Sequence, residues 1–326
     1  MRSGKYAMKT PDIQKVAVLG LGRMGHGIAQ TFAVAGCDVR CYDQTKEVLQ
    51  STVSRIRNNL ETARDAGILQ PDAIDAALSR IVICATEEEA LAGAQFVTEV
   101  VAEDLAIKQD LFARIEGLVS SECILASNTS TWPMTVMSVR MKNPERAINT
   151  HWFNPPHIVP LVEVIPGEKT AEVITQRTLA TLERIGKTVV CLRQELPGFL
   201  VNRIQAAMYR EMLDLLERGV ASAEDIDRAF QASVGFRLAA IGPLLVYDFA
   251  GVDMQACVYS QLVESIRSDR NVHDLVRNLV AEGHLGVKTG KGLFDYTPES
   301  IKKIEKQRDE RYLELLKLFY GDGSES

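Results

Sequence analysis

The chain has 326 residues, 46% of them apolar and 25% charged, which suits two ordinary globular domains of ~100–200 residues each and excludes a disordered chain. A formal net charge of −6 supplies no basic field for a phosphate backbone, so nucleic acid is not the expected partner. No run approaches the ~18 apolar residues of a membrane span, and Met1 to Pro11 lacks the apolar stretch of a secretory leader, so a cytoplasmic protein without membrane association is expected.

Residues 1–14 are polar and unpatterned and read as an N-terminal arm. From Lys15 the pattern changes. Val16 to Leu19 is a short buried-strand run, Gly20 to Gly25 a turn, and Ile28, Ala29, Phe32 and Ala33 recur at helical spacing until Gly36. Asp38 to Tyr42 is a second strand, which completes a βαβ opening. Lys46 to Leu78 predicts two helices broken around Gly67 to Pro71. Further strands are predicted at Ile81 to Cys84, Phe96 to Val101, Ile124 to Ala126, Ala147 to Thr150, Leu161 to Ile165 and Val189 to Leu192. Strands alternating with helices predict a doubly wound, mostly parallel sheet covered on both faces. Past Leu196-Pro197-Gly198 the strand signals give way to helical runs such as Phe199 to Arg218 and Ala223 to Ser233. The expected organisation is therefore α/β: a Rossmann-type domain over 15–196 followed by an all-α domain over 197–326, with a frayed end from Gly321. The six cysteines have no CxxC spacing and lie in apolar contexts, so they read as reduced core residues and no metal site is expected.

Gly20-Leu21-Gly22-Arg23-Met24-Gly25 fits G-x-G-x-x-G, and its context strengthens it: a strand precedes, a helix follows, and Asp43 closes the next strand. Gly20 permits the tight turn, Gly22 lets a pyrophosphate approach the backbone, Gly25 lets helix and strand pack, and the helix N-terminus favours the phosphates. Asp43 can accept hydrogen bonds from ribose hydroxyls and would repel a 2′-phosphate, which favours NAD over NADP; flavin enzymes share the fingerprint.

Oxidation of an alcohol needs a base for the hydroxyl proton, and histidine has a suitable pKa. Of five histidines, His151 closes a strand where the carboxyl edge of a sheet faces a dinucleotide. Twelve residues on, Glu163 interrupts the apolar strand Leu161 to Ile165; an unpaired carboxylate there is costly, and His151 is the obvious partner.

The segments 20–30, Ala-Ser-Asn-Thr-Ser at 126–130, His-Trp-Phe-Asn-Pro-Pro at 151–156, Leu-Val-Glu-Val at 161–164, Pro-Gly-Phe-Leu-Val-Asn-Arg at 197–203 and Lys-Thr-Gly-Lys-Gly at 288–292 together resemble the 3-hydroxyacyl-CoA dehydrogenase family. The resemblance implies that His151 and Glu163 form a catalytic pair and that Ser130 and Asn202 position the substrate oxygen. It also implies cofactor contacts at Asp43, Glu103, Lys108, Asn128, Asn154 and Lys288, and a homodimer formed through the helical domain. Structural alternatives stand beside these roles: turn capping for Asn128 and Ser130, backbone satisfaction near a helix start for Asn202, a buried ion pair for Glu163, and solvated surface charges for Lys108 and Lys288. By family prevalence the leading substrate is a 3-hydroxyacyl-CoA. Yet Thr45 to Leu69 has only Lys46, Arg55, Arg57 and Arg64 as cations where acyl-CoA members carry a lysine-rich helix. The stretch Gly235 to Pro243 resembles instead relatives acting on gulonate, carnitine or a pyridine carboxylate, with Arg237 as a carboxylate clamp. A non-catalytic, crystallin-like NADH-binding protein is the alternative of another class.

Overall fold

A computed structural model describes residues 13–321, so the expected N-terminal arm and frayed end lie almost wholly outside the described residues. The chain forms two compact units: one runs to Asn202 and resumes at Lys306, and the other is Arg203–Glu305.

The first unit opens with β1 (Lys15–Leu19), α1 (Gly25–Val34), β2 (Asp38–Tyr42), α2 (Lys46–Asp65), α3 (Asp72–Ser79) and β3 (Ile81–Ile83). It continues through α4 (Glu87–Leu91), β4 (Phe96–Glu99), α5 (Leu105–Ile115), β5 (Ile124–Ser127), α6 (Met134–Met137), β6 (Ala147–Trp152), β7 (Leu161–Pro166), α7 (Glu172–Arg184) and β8 (Thr188–Cys191). The eight strands form one sheet in the order β3-β2-β1-β4-β5-β6-β7-β8. All pairings are parallel except β6 with β7, which are antiparallel and place His151 directly opposite Glu163.

Alternation along β1 shows why both faces must be covered. Val16 and Val18 join one buried cluster with Ile28 and Phe32 of α1, whereas Ala17 and Leu19 join a second with Phe112 and Ile115 of α5. Phe32 is fully buried, with its ring centroid 5.7 Å from that of Phe96 and 6.0 Å from that of Trp152. Burial of a side chain this size contributes about 1.5–3 kcal/mol.

Two local expectations are corrected. Cys37, Cys41, Cys84 and Cys123 are buried, but Cys191 and Cys257 are exposed, and all six are free. Cys191 ends the edge strand β8, which has a neighbour on one side only, and Cys257 lies in the helical unit. The helix expected from Phe199 begins instead at Val201, because Gly198 and Phe199 adopt left-handed backbone (φ 77° and 50°). The compact units divide at Asn202/Arg203, and the chain from Lys306 belongs with the first unit. There Tyr312, Leu316 and Phe319 of α14 (Pro298–Tyr320) line one cleft with Ile158, Val159 and Pro160.

The second unit holds most of α8 (Val201–Glu217), then α9 (Ala223–Phe230), a π-helical turn over Gln231–Gly235, α10 (Phe236–Ala240), α11 (Pro243–Phe249), α12 (Val252–Leu262) and α13 (Asp274–Ala281). None of these helices contains a buried residue, and Phe236, Leu244 and Phe249 are each more than three-quarters exposed. No single helix among the described residues is long and apolar enough to cross a membrane.

Candidate active site

The glycine loop between β1 and α1 lies at the carboxyl edge of the sheet. Gly20 has φ 92°, and a Cβ there would sit 2.6 Å from the Val100 carbonyl oxygen; one on Gly25 would sit 1.8 Å from that of Gly20. These two glycines are required by packing within the protein. Gly22 differs: a Cβ there would meet nothing within 4 Å, which is the open approach a dinucleotide phosphate needs. No side chain caps the N-terminus of α1 and no acidic residue occupies its first turn, so its amides and positive dipole end fit an anion.

Side chains from three elements fasten this loop. Asp43 Oδ2 accepts the Leu21 N–H at 2.7 Å and Oδ1 accepts that of Thr45 at 2.8 Å. Arg55, on α2, donates through Nη2 to the Leu21 carbonyl at 2.6 Å and through Nη1 to that of Gly22 at 3.2 Å. His26 Nδ1 donates to the same Gly22 carbonyl at 2.8 Å. Burial, reinforced by the Arg55 charge, lowers the His26 pKa against the opposing effect of the Gly22 hydrogen bond. Burial also lowers the Arg55 pKa, opposed by the Asp43 carboxylate.

At the end of β6, His151 is 5% exposed and its Nδ1–H donates to Glu163 Oε2 at 2.7 Å. The carboxylate fixes the tautomer and leaves Nε2 as the free nitrogen of the ring. Glu163 is fully buried, and its Oε1 accepts the Leu200 and Val201 N–H groups at 3.2 and 2.8 Å. The left-handed turn at Gly198 and Phe199 delivers those amides and sets the Phe199 ring 5.4 Å from the imidazole, with Phe153 at 4.5 Å. A left-handed non-glycine residue costs about 1–2 kcal/mol, which full burial of the Phe199 ring offsets.

Behind the ends of β4 and β5 lies a second buried charge pair. Lys108 is 1% exposed and donates to both oxygens of the fully buried Glu99, at 2.9 and 3.0 Å, with Glu103 Oε2 at 3.4 Å. Ser127 donates its hydroxyl to Glu99, Val101 N–H reaches Glu99 Oε2 at 3.1 Å, and the Thr129 hydroxyl donates to Glu103. The alternative reading of Lys108 as a solvated surface charge is thereby overturned: its ammonium is held inside the protein by carboxylates. Glu99 was not anticipated from sequence, although it carries the signal that marked Glu163, a carboxylate within an apolar strand.

Asn128 Oδ1 accepts the Trp152 N–H at 2.9 Å, which ties the loop after β5 to the strand carrying His151. Ser130 and Asn154 are exposed, and Asn202 is half-buried at the start of α8. Below the Asn154 turn, the buried Lys187 ammonium donates to the Pro156 and Val159 carbonyls at 2.6 and 2.9 Å and lies 5.0 Å from the Trp152 ring centre. Burial lowers its pKa to about 8, and burial foremost lowers that of neighbouring His157 to about 3. Two expected site residues belong to the helical unit. Arg237 is exposed, with Nε donating to the Ser233 carbonyl at 3.4 Å, and Lys288 is exposed in the turn before Gly290.

Residues 15–195 match the family profile of the 3-hydroxyacyl-CoA dehydrogenase NAD binding domain, and residues 198–296 that of the C-terminal domain. A 5-formyl-3-hydroxy-2-methylpyridine 4-carboxylate 5-dehydrogenase of Mesorhizobium japonicum is 36% identical over 313 residues, covering 95% of this chain and 99% of the relative. A probable 3-hydroxybutyryl-CoA dehydrogenase of Bacillus subtilis is 34% identical over 286 residues, covering 87% and 98%. The crystal structure of a 5-dehydrogenase for the same pyridine carboxylic acid, described as an NAD+ dependent dismutase, superposes with a TM-score of 0.89 at 34% identity, covering 95% of this chain and 99% of that one.

Proposed function

The chain belongs to the 3-hydroxyacyl-CoA dehydrogenase family, and from that premise we propose that it oxidises the C–OH group of a small carboxylate, with His151 as the general base. It is an NAD-dependent oxidoreductase acting on CH–OH donors. The observation that carries the proposed mechanism is the 2.7 Å contact between His151 and the buried Glu163.

NAD, when bound, supplies the two-electron acceptor. His151 Nε2 takes the hydroxyl proton of a secondary alcohol or an aldehyde hydrate. Glu163 stabilises the imidazolium that results, and its own position is fixed by the amides of Leu200 and Val201. Ser130 and Asn202 hydrogen-bond the reacting oxygen. The loop from Gly20 to Gly25 and Asp43 hold the dinucleotide, with Glu103, Asn128, Asn154 and Lys288 as further contacts, and Lys108 acts by holding Glu99 and Glu103 in place.

Two observations favour a small carboxylate over a CoA ester. Three of the four α2 cations are already engaged: Arg55 on the Leu21 and Gly22 carbonyls, Arg57 with Asp75 at 3.4 Å, and Arg64 with Asp65 at 2.7 Å. In addition, α14 lies beyond residue 296, where the family profile ends, whereas the pyridine-carboxylate relative matches over nearly the whole of both chains. The second reading, a 3-hydroxyacyl-CoA, is favoured by the family profile and the Bacillus relative.

The test is a comparison of kcat/KM for NAD reduction with the pyridine aldehyde-acid, L-carnitine and L-gulonate, beside NADH oxidation with acetoacetyl-CoA. One small carboxylate is expected to exceed the CoA ester by about a hundredfold or more. In Arg237→Ala its KM should rise about tenfold with kcat within about twofold, as expected when a charge-assisted contact contributing equally to ground and transition states is lost. Preference for acetoacetyl-CoA would overturn the substrate class but leave the His151 mechanism standing.

We further propose that the helical unit pairs with a second copy. Its exposed Phe236, Leu244 and Phe249, together with helices that bury no residue, leave apolar surface that a homodimer would cover. Sedimentation should give a dimer at micromolar concentration and a monomer for Leu244→Asp; a monomeric wild-type protein would contradict the proposal.

A further inference from the structure

The phosphate-facing amides of the dinucleotide loop are oriented by a side chain outside the loop. A peptide unit is planar and trans, so fixing its C=O in one direction fixes its N–H in the opposite one. Arg55 holds the Leu21 carbonyl at 2.6 Å, which aims the Gly22 N–H, and the Gly22 carbonyl at 3.2 Å, which aims the Arg23 N–H. These two consecutive amides stand at the open Gly22 corner and the uncapped start of α1. A planar fork with fixed donor spacing can grip two successive carbonyls at once, which an ammonium cannot do with the same geometry. His26 adds a second donor to the Gly22 carbonyl at 2.8 Å, and Asp43 takes the Leu21 N–H at 2.7 Å, so Leu21 is held at both its amide and its carbonyl. Arg55 is itself steadied by Thr52 Oγ1 at 3.3 Å, one helical turn earlier.

We propose that Arg55 is a positioning residue for the cofactor: it preorganises the Gly22 and Arg23 amides for the pyrophosphate, so that α2 sets dinucleotide affinity without touching the nicotinamide end. The proposal rests on the dinucleotide reading of the loop, which ADP-ribose binding to the wild-type protein tests separately.

The experiment titrates NADH fluorescence against wild type, Arg55→Ala and Arg55→Lys, with ADP-ribose as competitor, and measures kcat at saturating NAD. Arg55→Ala is expected to raise the dissociation constants of NADH and ADP-ribose by the same factor, about tenfold, because both ligands carry the pyrophosphate. The value of kcat at saturation should stay within about twofold, and Arg55→Lys should recover less than half of the lost affinity. Unchanged dissociation constants would overturn the proposal. So would a loss confined to NADH with ADP-ribose unaffected, or a larger loss for NADPH than for NADH, which would assign Arg55 to a 2′-phosphate. A fall in kcat that tracks a fall in thermal midpoint would reduce the role of Arg55 to general stability and count equally against it.

Discussion

Replacing His151 with glutamine is expected to lower kcat about a thousandfold while leaving the NADH dissociation constant within about twofold of wild type. Glutamine is the informative choice because its amide can still donate to Glu163, which is fully buried and would otherwise lose its side-chain partner. The variant should therefore fold, bind cofactor through the glycine loop and fail only at proton removal. Glu163→Gln approaches the same point from the other side. It retains the shape but replaces an anion with a neutral group, so the imidazolium formed in the reaction loses its stabilising charge and kcat should fall by about a hundredfold or more. A His151→Gln enzyme with near-normal kcat, measured against whichever substrate the wild-type protein turns over best, would rule out the proposed base.

The largest expected change in stability is at Lys108. Lys108→Met leaves the Glu99 carboxylate fully buried with two hydrogen-bond donors, Ser127 and Val101, but no cation, and breaking a buried pair from one side costs about 3–5 kcal/mol. For a domain of this size that is roughly a 10 °C fall in Tm. Removing both charges together, as Glu99→Leu with Lys108→Met, should restore most of the loss, because a packed apolar pair need not be less stable than a buried ion pair. Thermal melts of the two single variants and the double variant supply the cycle. A single variant that melts with wild type would show that the pair contributes nothing.

What could be read from the sequence, and what could not, divides by the range of the interaction. The glycine loop was legible because each glycine answers a local demand, a tight turn at Gly20 and close packing at Gly25. The His151–Glu163 contact was legible because a carboxylate in an apolar strand requires a partner, and the antiparallel register of β6 and β7 places the two face to face. Glu99 carries the same signal within the strand expected over Phe96 to Val101, but its cation, Lys108, lies on the following helix and reaches it only through packing. Lys108 has the spacing of an ordinary helical surface lysine, and only the packing of α5 against β4 and β5 buries it. Arg55 has no local signature, since its carbonyl partners lie more than thirty residues upstream and accept through backbone atoms common to any sequence. The turn at Phe199 was missed for a related reason: a left-handed phenylalanine runs against backbone preference and is supported only by the pocket its ring fills beside His151.

The return of α14 to the first unit has a consequence for synthesis. The sheet, the cofactor loop and His151 all precede Arg203, yet one wall of the cleft along Ile158, Val159 and Pro160 comes from the chain after Lys306. An elongating polypeptide must therefore carry that apolar strip uncovered while roughly 100 intervening residues emerge, an interval of about 5–20 s at ordinary translation rates. The first unit is complete only after the second has been made, so on the nascent chain the Ile158 to Pro160 face has no α14 wall until that point.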